Sequence, residues 1–206
     1  MEKQEIRTFG RRHGKKLSVR KQTLVDNVLP TLAPTKDADI LEIGFGAGEH
    51  LRALSAENPD KIILGAEPFV NGVAALLSAM CDESGAVLPE YKNIHIFPDD
   101  VRLILNNNRF AFSEIWVLHP DPWPKARHEK RRLLSAEFLN LLAKHLAQNG
   151  RIIIGTDHWE YYDWILTQVK NTKLHLNNSD IDIIKTRYQQ KNMAGTTEPK
   201  YIILSL

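Results

Sequence analysis

Leu41-Glu42-Ile43-Gly44-Phe45-Gly46-Ala47-Gly48 decides how the rest of the chain is read. An apolar run ends in glycines at every second position, and an amphipathic stretch follows at once. Glycine tolerates positive φ and lets backbone approach a ligand, while a helix N-terminus offers unpaired N–H groups. The segment therefore reads as a strand, a tight ligand-facing turn and the start of a helix. A dinucleotide fingerprint needs G-x-G-x-x-G, but here the third glycine comes one position early and Glu49 stands in its place. The loop suits a nucleoside without a pyrophosphate better than a nicotinamide dinucleotide.

Outward from this loop the pattern alternates. Strands are expected over 40–45, 61–67, 94–97, 114–118 and 151–155, and helices over 50–57, 70–81, 101–107, 132–147 and 159–170. Repeated β–α units predict an α/β fold: a doubly wound, mostly parallel seven-stranded sheet, Rossmann-like, with helices on both faces. Residues 174–176 and 201–206 break the rhythm and are expected to close the sheet as a pair, with an antiparallel C-terminal strand. Upstream, 17–29 reads as a short helix that Pro30 ends. Residues 1–37 are taken as a basic arm with that helix, and 38–206 as one domain.

The 206 residues, 43% of them hydrophobic, supply one sizeable core. Cys81 stands alone, which excludes an internal disulfide, and the charged N-terminus lacks the apolar stretch of a signal peptide. A cytoplasmic protein is expected. No apolar run approaches the roughly 18 residues of a membrane span. The histidines and the cysteine show no metal-ligand spacing, so no metal is expected.

A net charge of +2 conceals an asymmetry. Residues 1–21 carry eight Lys and Arg against Glu2 and Glu5, a local balance of +6, which leaves about −4 for the remainder. A basic arm on a mildly acidic body points to an anionic partner, with a solvated tail as the alternative. A second basic cluster lies in His119-Pro120-Asp121-Pro122-Trp123-Pro124-Lys125-Ala126-Arg127-His128-Glu129-Lys130-Arg131-Arg132. One carboxylate, one indole and a dense cationic run follow the fourth strand, where α/β proteins keep their ligands. Trp123 there is suited either to stacking on an unpaired base or to supporting the loop from beneath. Arg131 and Arg132 before a helix are disfavoured by its dipole, so their placement argues for a polyanion. Glu67 ends the second strand about 20 residues after the glycine loop, where a carboxylate accepts from ribose hydroxyls.

With these residues in place, 38–206 resembles a class I S-adenosylmethionine-dependent methyltransferase, whose first signature is Glu42-x-Gly44-x-Gly46-x-Gly48. The resemblance implies that Glu42 and Gly44 hold the amino-acid end of S-adenosyl-L-methionine and Glu67 its ribose. An acid after the third strand would meet the adenine: Asp99, nearer the strand end, or Asp100, with helix capping as the other role for either. The P-D-P-W block and its basic run resemble one family in particular, the tRNA (guanine-N7-)-methyltransferases. Phe9-Gly10-Arg11-Arg12-His13-Gly14 is similar to that family's N-terminal segment. The resemblance implies that Asp121 is catalytic and also touches the cofactor. It makes Lys125 and Asp157 substrate contacts, and Arg127, Lys130, Arg131 and Arg132 phosphate contacts. Asp157, three residues before Glu160, also fits a helix N-cap. Thr186-Arg187-Tyr188-Gln189 matches the family's T-x-[FY]-E element as a further substrate site, with Gln189 where glutamate is usual; the swap keeps an acceptor and loses a charge.

The expected activity is methyl transfer from S-adenosyl-L-methionine to N7 of a variable-loop guanine of tRNA. The alternatives are a catalytically weak RNA-binding homologue and action on another RNA site. Guanine N7 has a free in-plane lone pair, so no general base is needed; alignment and a nearby negative charge are. Family members occur as monomers and as homodimers, and both remain open.

Overall fold

The computed structural model describes residues 8–178 and 198–206. Strands β1 (Ile40–Ile43), β2 (Ile63–Ala66), β3 (Ile94–Phe97), β4 (Phe112–Leu118) and β5 (Leu146–Thr156) run parallel. β7 (Lys200–Ser205) pairs antiparallel with β5, and the short β6 (His175–Leu176) pairs antiparallel with β7. The result is a seven-stranded sheet in the order β3-β2-β1-β4-β5-β7-β6, the fold that the β–α alternation predicts. Successive crossovers run outward from β1 to β3 and then switch to β4 on the other side. That switch opens a crevice at the C-terminal ends of β1 and β4, where doubly wound sheets bind ligands.

Six helices cover the sheet among the described residues: α1 (Val19–Asn27), α2 (Glu49–Glu57), α3 (Val70–Met80), α4 (Val101–Asn107), α5 (Ala136–Ala143) and α6 (Trp159–Val169). Neighbouring strand residues face opposite layers. Ile40 packs with Leu51, Leu54, Leu76 and Leu77 of α2 and α3. Leu41 packs with Ile104, Leu139 and Ile165 of α4, α5 and α6. Leu24 of α1 belongs to the first cluster, so the helix after the basic arm is part of the core.

The largest differences from the sequence reading are at the ends of two helices and the start of β5. α1 stops at Asn27, and Pro30 sits at the start of a 3₁₀ turn over Leu29–Leu32, where its missing N–H is harmless. The helix expected over 132–147 is only α5, because Ser135 supplies the N-cap: its hydroxyl accepts the Phe138 N–H at 3.3 Å. Residues Ala126–Arg131 form a separate 3₁₀ turn. At the other end, Leu146 already pairs with Phe112, and the register shifts before Arg151 meets Glu114. Asn149, at φ 63, turns the chain through that irregularity.

Candidate active site

The glycine loop leaves β1 and enters α2 through Gly44, Gly46 and Gly48, at φ 73, 56 and 75. Glu67, just past β2, holds the loop from the side. One carboxylate oxygen accepts the Gly46 N–H at 2.8 Å and the other accepts the Phe69 N–H at 2.8 Å. Each oxygen keeps acceptor capacity for a ligand hydroxyl. Burial pushes the Glu67 carboxyl above its ordinary value, the two N–H donors counter this, and the charges of Glu42 and Asp121 push it up again. Glu42 and Asp121 thus both lie within electrostatic reach of Glu67, an arrangement that favours a cationic ligand.

Asp100 and Asp99 are held differently, and of the two Asp100 lines the cavity. Asp100 caps α4, accepting the Arg102 N–H at 3.0 Å and the Arg102 side chain at 2.6 and 2.9 Å. Asp99 accepts the Asp100 N–H at 2.7 Å and pairs with the Arg12 guanidinium. Helix capping therefore falls to Asp100, and Asp99 keeps a side chain 37% exposed at the strand end.

The loop after β4 is bent and stiff. Pro120, Pro122 and Pro124 restrict φ, while His119 and Trp123 adopt left-handed φ of 49 and 43. The His119 N–H donates to the Gly155 carbonyl at 2.8 Å, tying the loop to β5. Asp121 is exposed in the middle of the loop. Trp123 packs within its own loop and turn: the Arg131 guanidinium lies 4.9 Å from its ring centroid, and His128 meets it edge-on at 5.7 Å. Phe9 flanks the same guanidinium at 5.7 Å. Arg132 is turned inward, its Nε–H donating to the Pro122 carbonyl at 2.9 Å and its guanidinium lying over Tyr161 and Trp164. Lys125, Arg127 and Lys130 are exposed.

Asp157 follows β5, 4.0 Å from His119 Nδ1. The helix cap that sequence allowed it belongs instead to His158, whose Nδ1 accepts the Tyr161 N–H at 3.4 Å. Burial lowers the His119 pKa and outweighs the opposing pull of Asp157, which favours the neutral imidazole. Thr186, Arg187, Tyr188 and Gln189 lie outside the described residues.

Charge patterning placed the arm with a partner; the structure lays it across the crevice. The Gly14 N–H donates to Asn71 Oδ1 at 2.7 Å, and Asn71 Nδ2 donates to the Lys15 carbonyl at 2.7 Å. The Val70 N–H donates to the Arg12 carbonyl at 3.1 Å, so the arm is strapped to the start of α3. Thr8 Oγ donates to Asp100 at 2.7 Å. Gly10 passes so close that a Cβ on it would stand 4.0 Å from Asp121 Oδ2. Thr8 to Arg11 thus line, with Gly44, Glu67, Asp100, His119, Asp121, Trp123 and Arg131, a cavity of 1170 Å³. No group of three or more His, Cys, Asp or Glu among the described residues could hold a metal. No described helix is long and apolar enough to cross a membrane.

Solved structures share this fold. Precorrin-6y C5,15-methyltransferase from Geobacter metallireducens superposes with a TM-score of 0.54 at 14% identity, over 93% of this chain and 90% of that one. The 16S rRNA methyltransferase KamB superposes with a TM-score of 0.53 at 13% identity, over 92% and 94%. At such identities the likeness concerns the class I methyltransferase fold alone. A family described as "Putative methyltransferase" matches residues 36–200. Two relatives, each named tRNA (guanine-N(7)-)-methyltransferase, are closer. That of Neorickettsia sennetsu is 34% identical over 92% of this chain and 86% of its own length. That of Hyphomonas neptunium is 36% identical over 94% and 96%. At these identities and coverages the chain belongs to the tRNA (guanine-N(7)-)-methyltransferase family.

Proposed function

We propose that the protein transfers the methyl group of S-adenosylmethionine to N7 of a variable-loop guanine in tRNA, giving 7-methylguanosine and S-adenosylhomocysteine. The observation that carries this reading is a cavity lined by Gly44 and Glu67 together with Asp121, Lys130, Arg131 and Arg132. The donor set fits the cofactor. A Cβ at Gly44 or Gly46 would meet nothing within 4 Å, so the loop faces open space. The three carboxylates suit a ligand that carries a sulfonium and an ammonium charge.

When bound, S-adenosylmethionine supplies an electrophilic methyl group on sulfur. In this reading Glu67 accepts from the ribose hydroxyls, Gly44 and Glu42 shape the seat of the amino-acid end, and Asp99 faces the adenine. Asp121 holds negative charge where positive charge develops on the guanine ring, and it also meets the methionyl ammonium. No proton has to leave N7, so neutral His119 is not required as a base. The prolines and left-handed residues around Asp121 limit its reorganisation during transfer. Lys125, Arg127, Lys130 and Arg131 meet tRNA phosphates, with the terminal nitrogens of Arg132 beside them. Asp157 and the 186–189 segment take the base side of the substrate.

The test incubates the full chain with unmodified tRNA and methyl-labelled S-adenosylmethionine, then cleaves chemically at 7-methylguanosine and maps the break. Label at N7 of a variable-loop guanine is the expected result. Label on another atom, or none, overturns the assignment; cofactor binding without transfer would instead favour an RNA-binding homologue.

A further inference from the structure

His50 lies one residue into α2, on the far side of the glycine loop from Glu42. Both side chains are 4% exposed, and His50 Nδ1 is 3.1 Å from Glu42 Oε2. The imidazole rests on Trp116 at 4.8 Å between centroids, and Trp116 is the β4 residue in register with Glu42 of β1. Trp116 is itself fixed, its indole N–H donating to Glu114 at 2.8 Å, with Glu114 held by Arg151 at 2.8 Å. His50 Nε2 is buried with no hydrogen-bond partner among the described residues.

A phenylalanine would fill the same space over Trp116 without burying an unpaired nitrogen, which is unfavourable. What the imidazole adds is one N–H, and that N–H reaches Glu42. Glu42 precedes Gly44 and His50 follows Gly48, so the contact joins the strand that enters the loop to the helix that leaves it. Between those ends, Glu67 holds the Gly46 N–H. Three left-handed glycines in five residues have little stiffness of their own.

We propose that His50 is a positioning residue for cofactor binding: its Nδ1–H orients the buried Glu42 carboxylate and thereby fixes the glycine loop in its ligand-ready shape. It touches neither substrate nor the reacting atoms. This rests on the loop being the S-adenosylmethionine seat proposed above. The predicted signature is a change in cofactor affinity that leaves tRNA affinity alone.

The test is steady-state kinetics and calorimetric titration with S-adenosylhomocysteine on His50→Phe, His50→Asn and wild type. His50→Phe keeps the packing and removes the donor; its KM for S-adenosylmethionine and its Kd for S-adenosylhomocysteine rise at least about tenfold, the size of one lost hydrogen bond to a charged group. The KM for tRNA stays within about twofold. His50→Asn places an amide N–H where Nδ1–H was and recovers most of the affinity. Should His50→Phe fail to fold, Glu42→Leu with His50→Phe buries neither an unpaired charge nor an unpaired acceptor, and it should bind cofactor no worse than Glu42→Leu alone. The role is overturned if His50→Phe binds like wild type, if Asn is no better than Phe, or if the double variant is weaker than Glu42→Leu. Wild type that fails to bind S-adenosylhomocysteine overturns the cofactor seat itself, which is a different outcome.

Discussion

Gly48→Ala and Gly44→Ala should rank in opposite orders for stability and for cofactor binding, although both residues sit at φ near 75 in the same loop. A left-handed alanine costs about 1–2 kcal/mol at either site. At Gly48 the new Cβ would also stand 2.4 Å from Leu76 Cδ1 and 3.0 Å from its Cγ, and Leu76 is fully buried. Overpacking of that kind costs about 1–3 kcal/mol more. Gly48→Ala is then expected to lose about 2–5 kcal/mol and Gly44→Ala only about 1–2, or roughly 4–20 °C against 2–8 °C in melting temperature for a chain of this size. At Gly44 the Cβ enters open space on the cavity wall, so the weaker destabiliser is the stronger inhibitor of cofactor binding. Thermal and urea unfolding give the first ranking, and calorimetry with S-adenosylhomocysteine gives the second. Leu76→Ala in the Gly48→Ala background removes the clashing atoms, so the double variant should be more stable than additivity predicts by about 1–3 kcal/mol. Equal losses from the two alanines, or strict additivity with Leu76→Ala, would refute the steric account.

Asp121→Asn should lower turnover at saturating substrates about 100-fold or more, the usual scale for one electrostatic group aimed at developing charge, as measured by label transfer; undiminished turnover removes its role. Arg131→Ala should weaken tRNA binding and reduce its salt slope by about one, whereas Arg132→Ala should act more on stability, by roughly 1–2 kcal/mol, since its Nε–H and guanidinium face contact protein. Filter binding against salt and thermal melts separate them. Burial raises the Asp100 pKa, but hydrogen bonds from Arg102 and Thr8 outweigh it and hold the carboxyl below its ordinary 3.8. A depressed carboxyl stabilises the fold above its unfolded value and loses that contribution as pH falls through the folded one. The melting-temperature difference between wild type and Asp100→Asn is therefore expected to stay level from neutrality down to about 3.8 and to narrow below it. Glu67, raised above its ordinary value, works in the opposite sense: its ionised form is disfavoured in the fold, and that penalty lifts on acidification.

The sheet was legible because each of the first five strands carries its own apolar run and a helical pattern separates it from the next. The glycine loop, Glu67 and the P-D-P-W loop were legible because their chemistry is local in sequence. Helix ends were read less well: competing caps such as Ser135 and His158 differ by fractions of a hydrogen bond, and sequence gives no geometry to choose between them. How the arm is attached was not legible. Its charges indicate an anionic partner, but several of its attachments run through backbone groups of Arg12, Gly14 and Lys15, which carry no sequence signal. Arg131 and Arg132 resemble free cations in sequence, and only tertiary structure brings Phe9, Trp123, Tyr161 and Trp164 against them.

The strapped arm has a consequence for how the protein is made. Thr8 meets Asp100 across 92 residues of chain, Arg12 meets Asp99 across 87, and Phe9 meets Arg131 further on still. At about 5–20 residues per second of synthesis, residues 8–12 emerge several seconds before their partners exist. During that interval a strongly basic segment is exposed beside the ribosome's RNA with nothing of its own to bind. The arm is thus made before the residues that hold it, and its side of the cavity can be completed only once the end of β3 and the basic turn exist.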